Sequence, residues 1–488
     1  MDSLKRLEEV VRKKIGGREF VVVSHSEPIV HYYEEDTVKW HKAGGGLVTA
    51  IDPVMRACGG TWIAYAAGEA DAETVDADGI VKVPPDKPRY ALKRLALSKE
   101  DVSNYLDGVS NSSLWPWCHF SYVRPEFRDE RWPYYRKVNR EFADAVLKSV
   151  GNRKAFVWVQ DYHLSLASKY IKEKRPDITT AQFWHIPWPN AEVFKICPWG
   201  GEIIEAMLCN DLLGFQIRYY ANNFLDSADQ TLQARVDREH STVFYKEGNT
   251  LVREFPISID YGQVSRGAQD VTEQRIADLR RRFGIKSQHV GVGVDRLDYN
   301  KGLAEKFMAI DDFFARNPEW LGKLTFVQVA SPSRPQVPAY KRNAETVESL
   351  VDDINYRRGY GKWKPIVFVT SFLDYADIMA LYRMADFCLV TSLHDGMNLV
   401  SKEYVAANPE GVLVLSRFTG ASRELKQAIP INPYAIGETA DAIKAALDMP
   451  QDERRARMAR MAQEIQENDV YKWASDFIQN IAKLEAVS

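Results

Sequence analysis

Charged and polar side chains follow four predicted strands of this chain, at the points where the strands end. Asp161 and His163 follow one apolar run in the first half, and His185 follows the next. Two sets in the second half combine opposite charges: Arg296, Asp298 and Lys301 in "DRLDYNKGL", and His394, Asp395 and Glu403 in "HDGMNLVSKE". Because open α/β sheets bind ligands beyond the carboxyl ends of their strands, we expect these side chains to form sites.

The charges of the second half suit a nucleotide-diphosphate sugar. The forked guanidinium of Arg296 and the point charge of Lys301 are natural partners for a diphosphate. Asp395 can accept hydrogen bonds from sugar hydroxyls, and Glu403 can accept two from a ribose diol. A helix that begins near Asn398 would add backbone N–H groups and the positive end of its dipole. The pattern therefore predicts glycosyl transfer from a nucleotide-diphosphate donor.

Each of these side chains also has a purely structural interpretation. Asp395 alone is more often the N-cap of a helix than a catalytic group. Arg296 and Asp298 could pair with each other, and His163 and His185 could be core histidines. Four polar strand ends in one chain are nevertheless hard to explain by packing alone, so the combination favours a site.

Short apolar runs alternate with helical patterns along the whole chain. Such runs are typical of parallel strands that are covered on both faces. The predicted strands are Phe20–Ser24, Trp62–Ala66, Phe156–Gln160, Ala181–Trp184, Leu212–Gln216, Val290–Val294, Leu324–Ala330, Ile366–Thr370, Phe387–Thr391 and Val412–Leu415. The alternation predicts an α/β fold with two doubly wound sheets, and the seam is expected near "EFPISIDYGQVSRGAQD".

Composition excludes several classes of function. The 488 residues carry a net charge of -3, which argues against nucleic acid as a partner. The five cysteines form no CxxC pair, and the histidines show no metal-binding spacing. The acidic "DAD" at Asp76–Asp78 is interpreted as a solvated loop. The charged N-terminus and the lack of a long apolar run predict a cytoplasmic protein with no membrane partner.

Several long motifs resemble those of the trehalose-6-phosphate synthase family of retaining glycosyltransferases, glycosyltransferase family 20. They are "VWVQDYH", "WHIPWPN", "DLLGFQ", "VDRLDYNKGL" and "HDGMNLVSKEYVAANPEGVLVLSRFTGA". The resemblance implies the GT-B fold, with two Rossmann-like domains that face each other across a cleft. We expect an acceptor domain at 1–258, a donor domain at 259–467 and a final helix at 468–488 that crosses back to the first domain.

The resemblance also implies roles for single residues. Arg296 and Lys301 would hold the donor diphosphate, Glu403 the ribose and Asp395 the hydroxyls of the transferred sugar. The remaining donor-side and reaction-centre residues would be Gly46, Asn398 and Leu399 through their backbone N–H groups, His185 near the reacting sugar, and Asp161 at the junction of donor and acceptor. Such enzymes need no metal or other cofactor, since the two cations offset the charge of the leaving group.

The acceptor side departs from the family pattern. Ser26, in "SHSEP", replaces a phosphate-binding arginine, Tyr65 replaces a tryptophan and Leu106 replaces a tyrosine. Trp115 and Arg334 are kept. The loop side chains Lys42, His25 and Arg124 are candidates to bind the phosphate in place of the missing arginine. "SHSEP" also resembles the "HREP" of glucosylglycerol-phosphate synthases.

The leading prediction is transfer of glucose, from a donor such as UDP-glucose, to glucose 6-phosphate in trehalose biosynthesis. The alternatives are the same chemistry on glycerol 3-phosphate or a cyclitol phosphate, and a non-catalytic regulatory homologue. A nicotinamide oxidoreductase is a weaker interpretation because the dinucleotide fingerprint is missing. The sequence leaves open the base of the donor (UDP, GDP or ADP), the acceptor, and whether the chain forms a homo-oligomer.

Overall fold

The structure is a computed structural model that describes residues 3–485, which divide into two compact units. The first unit contains residues up to 119, residues 124–257 and the last helix from residue 470. The second unit contains residues 120–123 and 258–469. Each unit is built on its own sheet.

The strands are short, as the apolar runs predict. They are β1 (Glu19–Val23), β2 (Ile29–Glu34), β3 (Thr37–Lys42), β4 (Thr61–Tyr65), β5 (Ile80–Val83), β6 (Tyr90–Leu95), β7 (Ala155–Gln160), β8 (Thr179–Trp184), β9 (Leu212–Phe215), β10 (Arg235–Asp237), β11 (Thr242–Tyr245), β12 (Gly248–Glu254), β13 (His289–Arg296), β14 (Leu324–Ser331), β15 (Ile366–Val369), β16 (Phe387–Val390), β17 (Val412–Ser416) and β18 (Ile429–Ile431).

Helices separate most of these strands. They are α1 (Ser3–Lys14), α2 (Gly46–Cys58), α3 (Lys99–Asp101), α4 (Trp115–Cys118), α5 (Trp132–Val150), α6 (Ala167–Lys174), α7 (Ala191–Phe194), α8 (Gly200–Met207), α9 (Arg218–Leu232), α10 (Tyr261–Gln269), α11 (Glu273–Arg282), α12 (Leu303–Arg316), α13 (Pro338–Arg358), α14 (Tyr375–Met384), α15 (Leu399–Ala407), α16 (Ile436–Asp448), α17 (Gln451–Glu467) and α18 (Val470–Glu485). A π-helix, Val102–Leu114, joins α3 to α4.

The first sheet has ten strands in the order β10-β11-β12-β9-β8-β7-β1-β4-β6-β5. Its central pairs are parallel, and β5, β10 and β11 pair antiparallel at the two edges. All six residues of β7 are buried, as a strand covered on both faces requires. The carboxyl ends of β4, β1 and β7 therefore lie side by side.

The second sheet has six strands in the order β15-β14-β13-β16-β17-β18, and every pair is parallel. Its core is made by Phe307, Phe326, Phe387 and Leu389 with the apolar residues around them. Here β13 and β16 are neighbours, so the two charged segments of the second half end at one edge. The predicted α/β fold with two sheets is confirmed.

Two further features complete the first unit: a small sheet that was not expected from the sequence, and the position of the last helix, which was expected. A two-stranded antiparallel sheet, β2 with β3, comes between β1 and the glycines before α2. The helix α18 packs on the first sheet: its Phe477 lies 4.5 Å from the ring centroid of Trp158, and Trp473 donates to the carbonyl of Phe255. Within residues 3–485, no helix is long and apolar enough to cross a membrane.

Candidate functional site

An ion pair joins the ends of two neighbouring strands in the second unit. Arg296 ends β13, and Lys301 closes the short 3₁₀ turn Tyr299–Lys301 that follows. The Nζ of Lys301 lies 2.6 Å from the Oδ2 of Asp395, just beyond the end of β16. Both side chains are largely buried, at 14% and 13% exposure, so water screens the pair only weakly.

The turn that carries Lys301 is tied to the neighbouring loop by its backbone. The hydroxyl of Thr391 donates to the carbonyl oxygens of Lys301 and Gly302, at 3.1 and 3.0 Å. Gly302 has φ +63°, and a Cβ there would lie 2.3 Å from the carbonyl oxygen of Thr391. Only glycine therefore allows the turn to approach the end of β16 this closely.

The helix after β16 begins with an asparagine rather than with Asp395. Asn398 is the N-cap of α15, has φ +87° and accepts a hydrogen bond from the backbone N–H of Ser401 at 2.9 Å. The structural interpretation of Asp395 as the N-cap is therefore wrong. Its Oδ2 instead accepts from Lys301 and, more weakly, from the hydroxyl of Ser392 at 3.2 Å. The first turn of α15, which begins at Leu399, therefore places its backbone N–H groups at this edge of the second sheet.

The two charges on α15 point to different partners. Lys402 is buried at 1% exposure and pairs with Glu424 at 2.8 Å, so it stabilises the fold. Glu403 is only partly buried, and its Oε2 accepts a hydrogen bond from the hydroxyl of Tyr382 at 3.3 Å. Of these two charges, only Glu403 therefore keeps contact with solvent.

Arg296 and Asp298 do pair with each other, as their structural interpretation allowed. The guanidinium of Arg296 donates to the Oδ2 of Asp298, yet the arginine stays 43% exposed while the aspartate is wholly buried. Burial acts to raise the pKa of Asp298, but Arg296, Arg334 and Lys301 hold this pKa below its usual value. The pair orients Arg296 without hiding its charge.

The charge of Arg334, in the loop after β14, also acts on the carboxylate of Asp298 and lowers its pKa. The backbone of Arg334 is left-handed, with φ +48°, and its guanidinium donates to the hydroxyl of Tyr340. Tyr340 is buried at 1% exposure, and its ring packs 4.9 Å from the ring of Tyr299. The structure thus brings Arg334 to the edge that carries the predicted donor residues.

His394, which follows β16, faces inward. Its Nδ1 accepts from the backbone N–H of Phe120 at 3.2 Å, and the two rings stack at 5.1 Å. Burial lowers the pKa of His394 to about 4, although Asp395 opposes this shift. The imidazole is therefore neutral at physiological pH and acts as a hydrogen-bonding and packing residue.

In the first unit, Asp161 and His185 lie together beyond β7 and β8. Asp161 has φ +68°, and its Oδ1 accepts from the backbone N–H of His185 at 3.2 Å. The Nε2 of His185 bonds to the Oε1 of Gln160 at 2.9 Å. Burial lowers the pKa of His185 to about 3, so the ring is neutral, and donation from Nε2 leaves Nδ1 as an acceptor.

A column of aromatic rings crosses the carboxyl ends of β4, β1 and β7. His25 stacks on Tyr65 at 5.4 Å and on His163 at 4.9 Å, and His163 packs on Tyr162 at 4.0 Å. Trp115 is buried nearby, 5.9 Å from the ring of Tyr162. Of the predicted acceptor residues, His25, Tyr65 and Trp115 are therefore brought to one edge of the first sheet, but the column itself carries no fixed positive charge.

The proposed substitutes for the missing arginine differ in their surroundings. Ser26 is exposed and Leu106 is half-buried. Lys42 pairs with Asp52 at 3.0 Å, which compensates its charge, whereas Arg124 is exposed.

Gly46, which starts α2, lies in the first unit, apart in the chain from Asn398 and Leu399 in the second.

Sequence reasoning missed a buried ionic network directly behind Ser26. Arg94 bonds to Glu27 at 2.8 Å and to Asp71 at 2.7 Å, and all three side chains are at most 2% exposed. Burial, and a hydrogen bond shared with Asp71, raise the pKa of Glu27 to about 8. The "EP" of "SHSEP" was the only signal, since Arg94 lies inside an apolar strand pattern.

The acidic loop is held by its own backbone. The Oδ1 of Asp76 accepts from the N–H groups of Asp78 and Ile80, both at 2.9 Å, as in a solvated turn. Across the described part of the chain, no group of three or more His, Cys, Asp or Glu side chains could hold a metal ion.

Comparison with known proteins identifies one family. The sequence profile of glycosyltransferase family 20 matches residues 18–483. The trehalose-6-phosphate synthase of Mycolicibacterium vanbaalenii is 37% identical over 490 residues, with 97% of each chain covered. That of Mycolicibacterium smegmatis is 35% identical, covering 96% of this chain and 93% of the relative.

Solved structures agree over the same span. An E. coli structure described as bound with UDP-2-fluoro glucose is 31% identical, with a TM-score of 0.85, and covers 95% of this chain and 99% of that one. A UDP-forming α,α-trehalose-phosphate synthase from Burkholderia xenovorans in complex with glucose-6-phosphate is 29% identical, with a TM-score of 0.85 and coverages of 95% and 100%. Both likenesses confirm the GT-B fold class.

The raised pKa of Glu27 predicts a pH-dependent stability. An acid whose pKa is higher in the folded than in the unfolded state stabilises the fold at low pH, and this contribution is lost as pH rises from about 4.5 to 8. Glu27→Gln should therefore flatten the decline of Tm between pH 5 and pH 9. Scanning calorimetry should show a difference of at least about 2–4 °C, which about 1 kcal/mol produces in a domain of this size.

Glu73→Gln, an exposed carboxylate of the same segment, serves as the control and should keep the wild-type slope. Parallel Tm profiles for the wild type and Glu27→Gln would contradict a titration of Glu27 in this range.

Proposed function

This chain belongs to glycosyltransferase family 20, and from that premise we propose that it transfers glucose, with retention of configuration, from UDP-glucose to glucose 6-phosphate. The product would be trehalose 6-phosphate. The observation that carries the proposal is the edge of the second sheet, where Arg296, the Lys301–Asp395 pair and the start of α15 converge. UDP is proposed as the nucleotide because the solved relatives are UDP-forming.

On the donor side, the two cations would bind the diphosphate. Arg296 is exposed enough to receive an anion while Asp298 fixes its orientation. Lys301, whose Nζ lies 2.6 Å from Asp395, would offset charge as the bond to the leaving group breaks. Glu403, held by Tyr382, would accept hydrogen bonds from the ribose, and Asp395 from the transferred sugar.

The reaction needs no protein nucleophile under this proposal. The acceptor hydroxyl attacks the anomeric carbon from the face that the diphosphate leaves, and a phosphate oxygen of the leaving group takes the proton. Asp161 and neutral His185 would accept hydrogen bonds from sugar hydroxyls, because both present an acceptor atom. The protein supplies position and electrostatic stabilisation.

A second acceptor class is favoured by one observation. The loop that carries Ser26 presents no cation, and its neighbour Lys42 is already paired with Asp52. The same chemistry on glycerol 3-phosphate or a cyclitol phosphate therefore stays a candidate. A non-catalytic regulatory homologue is disfavoured, because Arg296, Lys301, Asp395 and Glu403 are all present.

Loss of either donor cation should abolish most of the turnover. Arg296→Ala and Lys301→Ala should each lower kcat by about 100- to 1,000-fold or more, because charge on the leaving diphosphate is left uncompensated. Release of UDP with glucose 6-phosphate as acceptor measures the effect. Arg316→Ala is a matched control, since Arg316 on α12 is 42% exposed and also pairs with an aspartate. Near-normal turnover in both donor variants would reject the assignment.

Activity should survive chelation. Arg296 and Lys301 take the place that a divalent cation would hold at the diphosphate, so a twofold excess of EDTA over any added metal should leave the rate unchanged. Loss of activity on chelation, with recovery on addition of magnesium or manganese, would show that a metal acts at this site.

Arg334 should affect the acceptor alone. Arg334→Ala should raise the acceptor KM by roughly 10- to 150-fold, corresponding to about 1.5–3 kcal/mol for a lost charge-assisted bond, while donor KM changes little. Arg342→Ala, an exposed arginine on α13, is the control. An unchanged KM for every phosphorylated acceptor would favour an unphosphorylated one.

Ser26→Arg then separates the two acceptor classes. Tighter binding of glucose 6-phosphate would mean that the family contact is restored in a compatible pocket. Loss of activity with the true acceptor would mean that the arginine fills its space, and would point to a different phosphorylated acceptor.

A further inference from the structure

Asp298 is a wholly buried carboxylate among cations that stay in contact with solvent. It has no exposed surface, whereas Arg296 is 43% exposed and Arg334 is half-buried. Its Oδ2 accepts from the guanidinium of Arg296, and a hydrogen bond from the side chain of Ser333 also helps to lower its pKa. Burying a carboxylate in this way is costly, so its placement needs a reason beyond packing.

The backbone around Asp298 holds it rigidly. Its N–H donates to the carbonyl of Arg296 at 2.7 Å, and its own carbonyl accepts from the N–H of Lys301 at 3.0 Å. The backbone of Asp298 therefore lies within the turn whose two ends carry Arg296 and Lys301. A shift of Asp298 would move both cations together.

The residue after Asp298 supports the third cation. Tyr299 packs on Tyr340, and Tyr340 holds Arg334 through its hydroxyl and through its ring, 5.1 Å from the guanidinium. The field of Arg334 also reaches Asp298, since it helps to hold the carboxylate ionised. Two adjacent residues are thus linked to the two arginines: Asp298 contacts Arg296 directly, and Tyr299 packs on Tyr340, which contacts Arg334.

We propose that Asp298 is a positioning residue that holds Arg296 and Arg334 in one arrangement, so that the donor diphosphate and the acceptor phosphate are oriented by a single carboxylate. This inference rests on the proposed function of those two arginines. Asp298 itself touches neither substrate. Its role is to restrict both guanidinium groups to the directions in which the reacting atoms meet.

The test is Asp298→Asn, which keeps the volume of the side chain and removes its charge. Both arginines then keep their charge, but Arg296 loses the carboxylate with which it pairs and Arg334 loses its electrostatic attraction to it, so the KM of each substrate should change by less than about fivefold. The kcat should fall by about 100-fold, as expected when reacting groups are misplaced by an ångström or so. A kcat within about threefold of the wild type, in folded protein, would overturn the proposal.

A second variant tests the acceptor arm. Tyr340→Phe removes the hydroxyl that accepts from Arg334 and keeps the ring that packs on Tyr299. It should raise the acceptor KM by several-fold and leave the donor KM unchanged. In an Arg334→Ala background, Tyr340→Phe should have no further effect, and multiplicative effects of the two changes would contradict the proposed support.

A matched control distinguishes the proposed positioning role of Asp298 from a purely structural one. Asp311 on α12 likewise pairs with two arginines, Arg357 and Arg358, at the C-terminal end of α13. Asp311→Asn and Asp298→Asn should both lower Tm, but only Asp298→Asn should lower kcat. Equal kcat in the two variants at matched folded fraction would reduce Asp298 to a structural residue.

A binding measurement distinguishes failure of the proposed function from failure of this inference about Asp298. If the wild type transfers glucose to no phosphorylated acceptor, calorimetric titration with UDP still reports on Arg296. Asp298→Asn should then change the enthalpy of UDP binding in the wild-type background and leave it unchanged in the Arg296→Ala background. An identical effect in both backgrounds would overturn the coupling between Asp298 and Arg296.

Discussion

The second unit depends on the ion pair between Lys301 and Asp395. Two largely buried charges 2.6 Å apart attract each other strongly and would be costly to separate. Their pairing requires the turn after β13 to approach the end of β16, and that approach requires a residue without a Cβ at Gly302. The loop that carries Asp395 then leads into Asn398 and α15. One interaction therefore fixes where Lys301, the carboxylate of Asp395 and the N-terminus of α15 lie.

Much of the central architecture could be predicted from the sequence, because buried parallel strands are continuous apolar runs. The run Val412–Leu415, for example, lies within the wholly buried strand β17. The strand β3 could not be found this way, since all six of its residues are exposed and leave no apolar period. The antiparallel edge strands β10 and β11 were missed for a similar reason, as their burial is partial.

The candidate site was predictable where its side chains are close in the chain, and not where they are distant. Arg296 and Lys301 belong to one segment, so their common position follows from one strand end. Glu27 and Arg94 lie 67 residues apart, and only the pairing of β1, β4 and β6 brings them together. Burial in that network, rather than any motif, sets the pKa of Glu27.

Backbone conformation adds a signal that residue types do not carry. Asp161, Arg334 and Asn398 are among the non-glycine residues with positive φ, a conformation that costs free energy unless its surroundings enforce it. At Asn398 the helix cap explains it, and at Asp161 the bond to the backbone of His185 does. At Arg334 the guanidinium is held instead by a side chain, Tyr340.

The charges in each unit indicate which cation would bind a phosphate on the acceptor. In the first unit, the rings of Tyr65, His25 and His163 stack on one another and carry no fixed charge, and Arg94 is bonded to the buried acidic side chains of Glu27 and Asp71. Under the proposed function, binding of a phosphate on the acceptor would consequently depend on Arg334 more strongly than it does in a family member that has arginine in place of Ser26. The charge of Arg334 also acts on the carboxylate of Asp298, which pairs with Arg296. Under the proposed function, serine in place of arginine at Ser26 would therefore make acceptor recognition depend more strongly on the buried charge that orients Arg296.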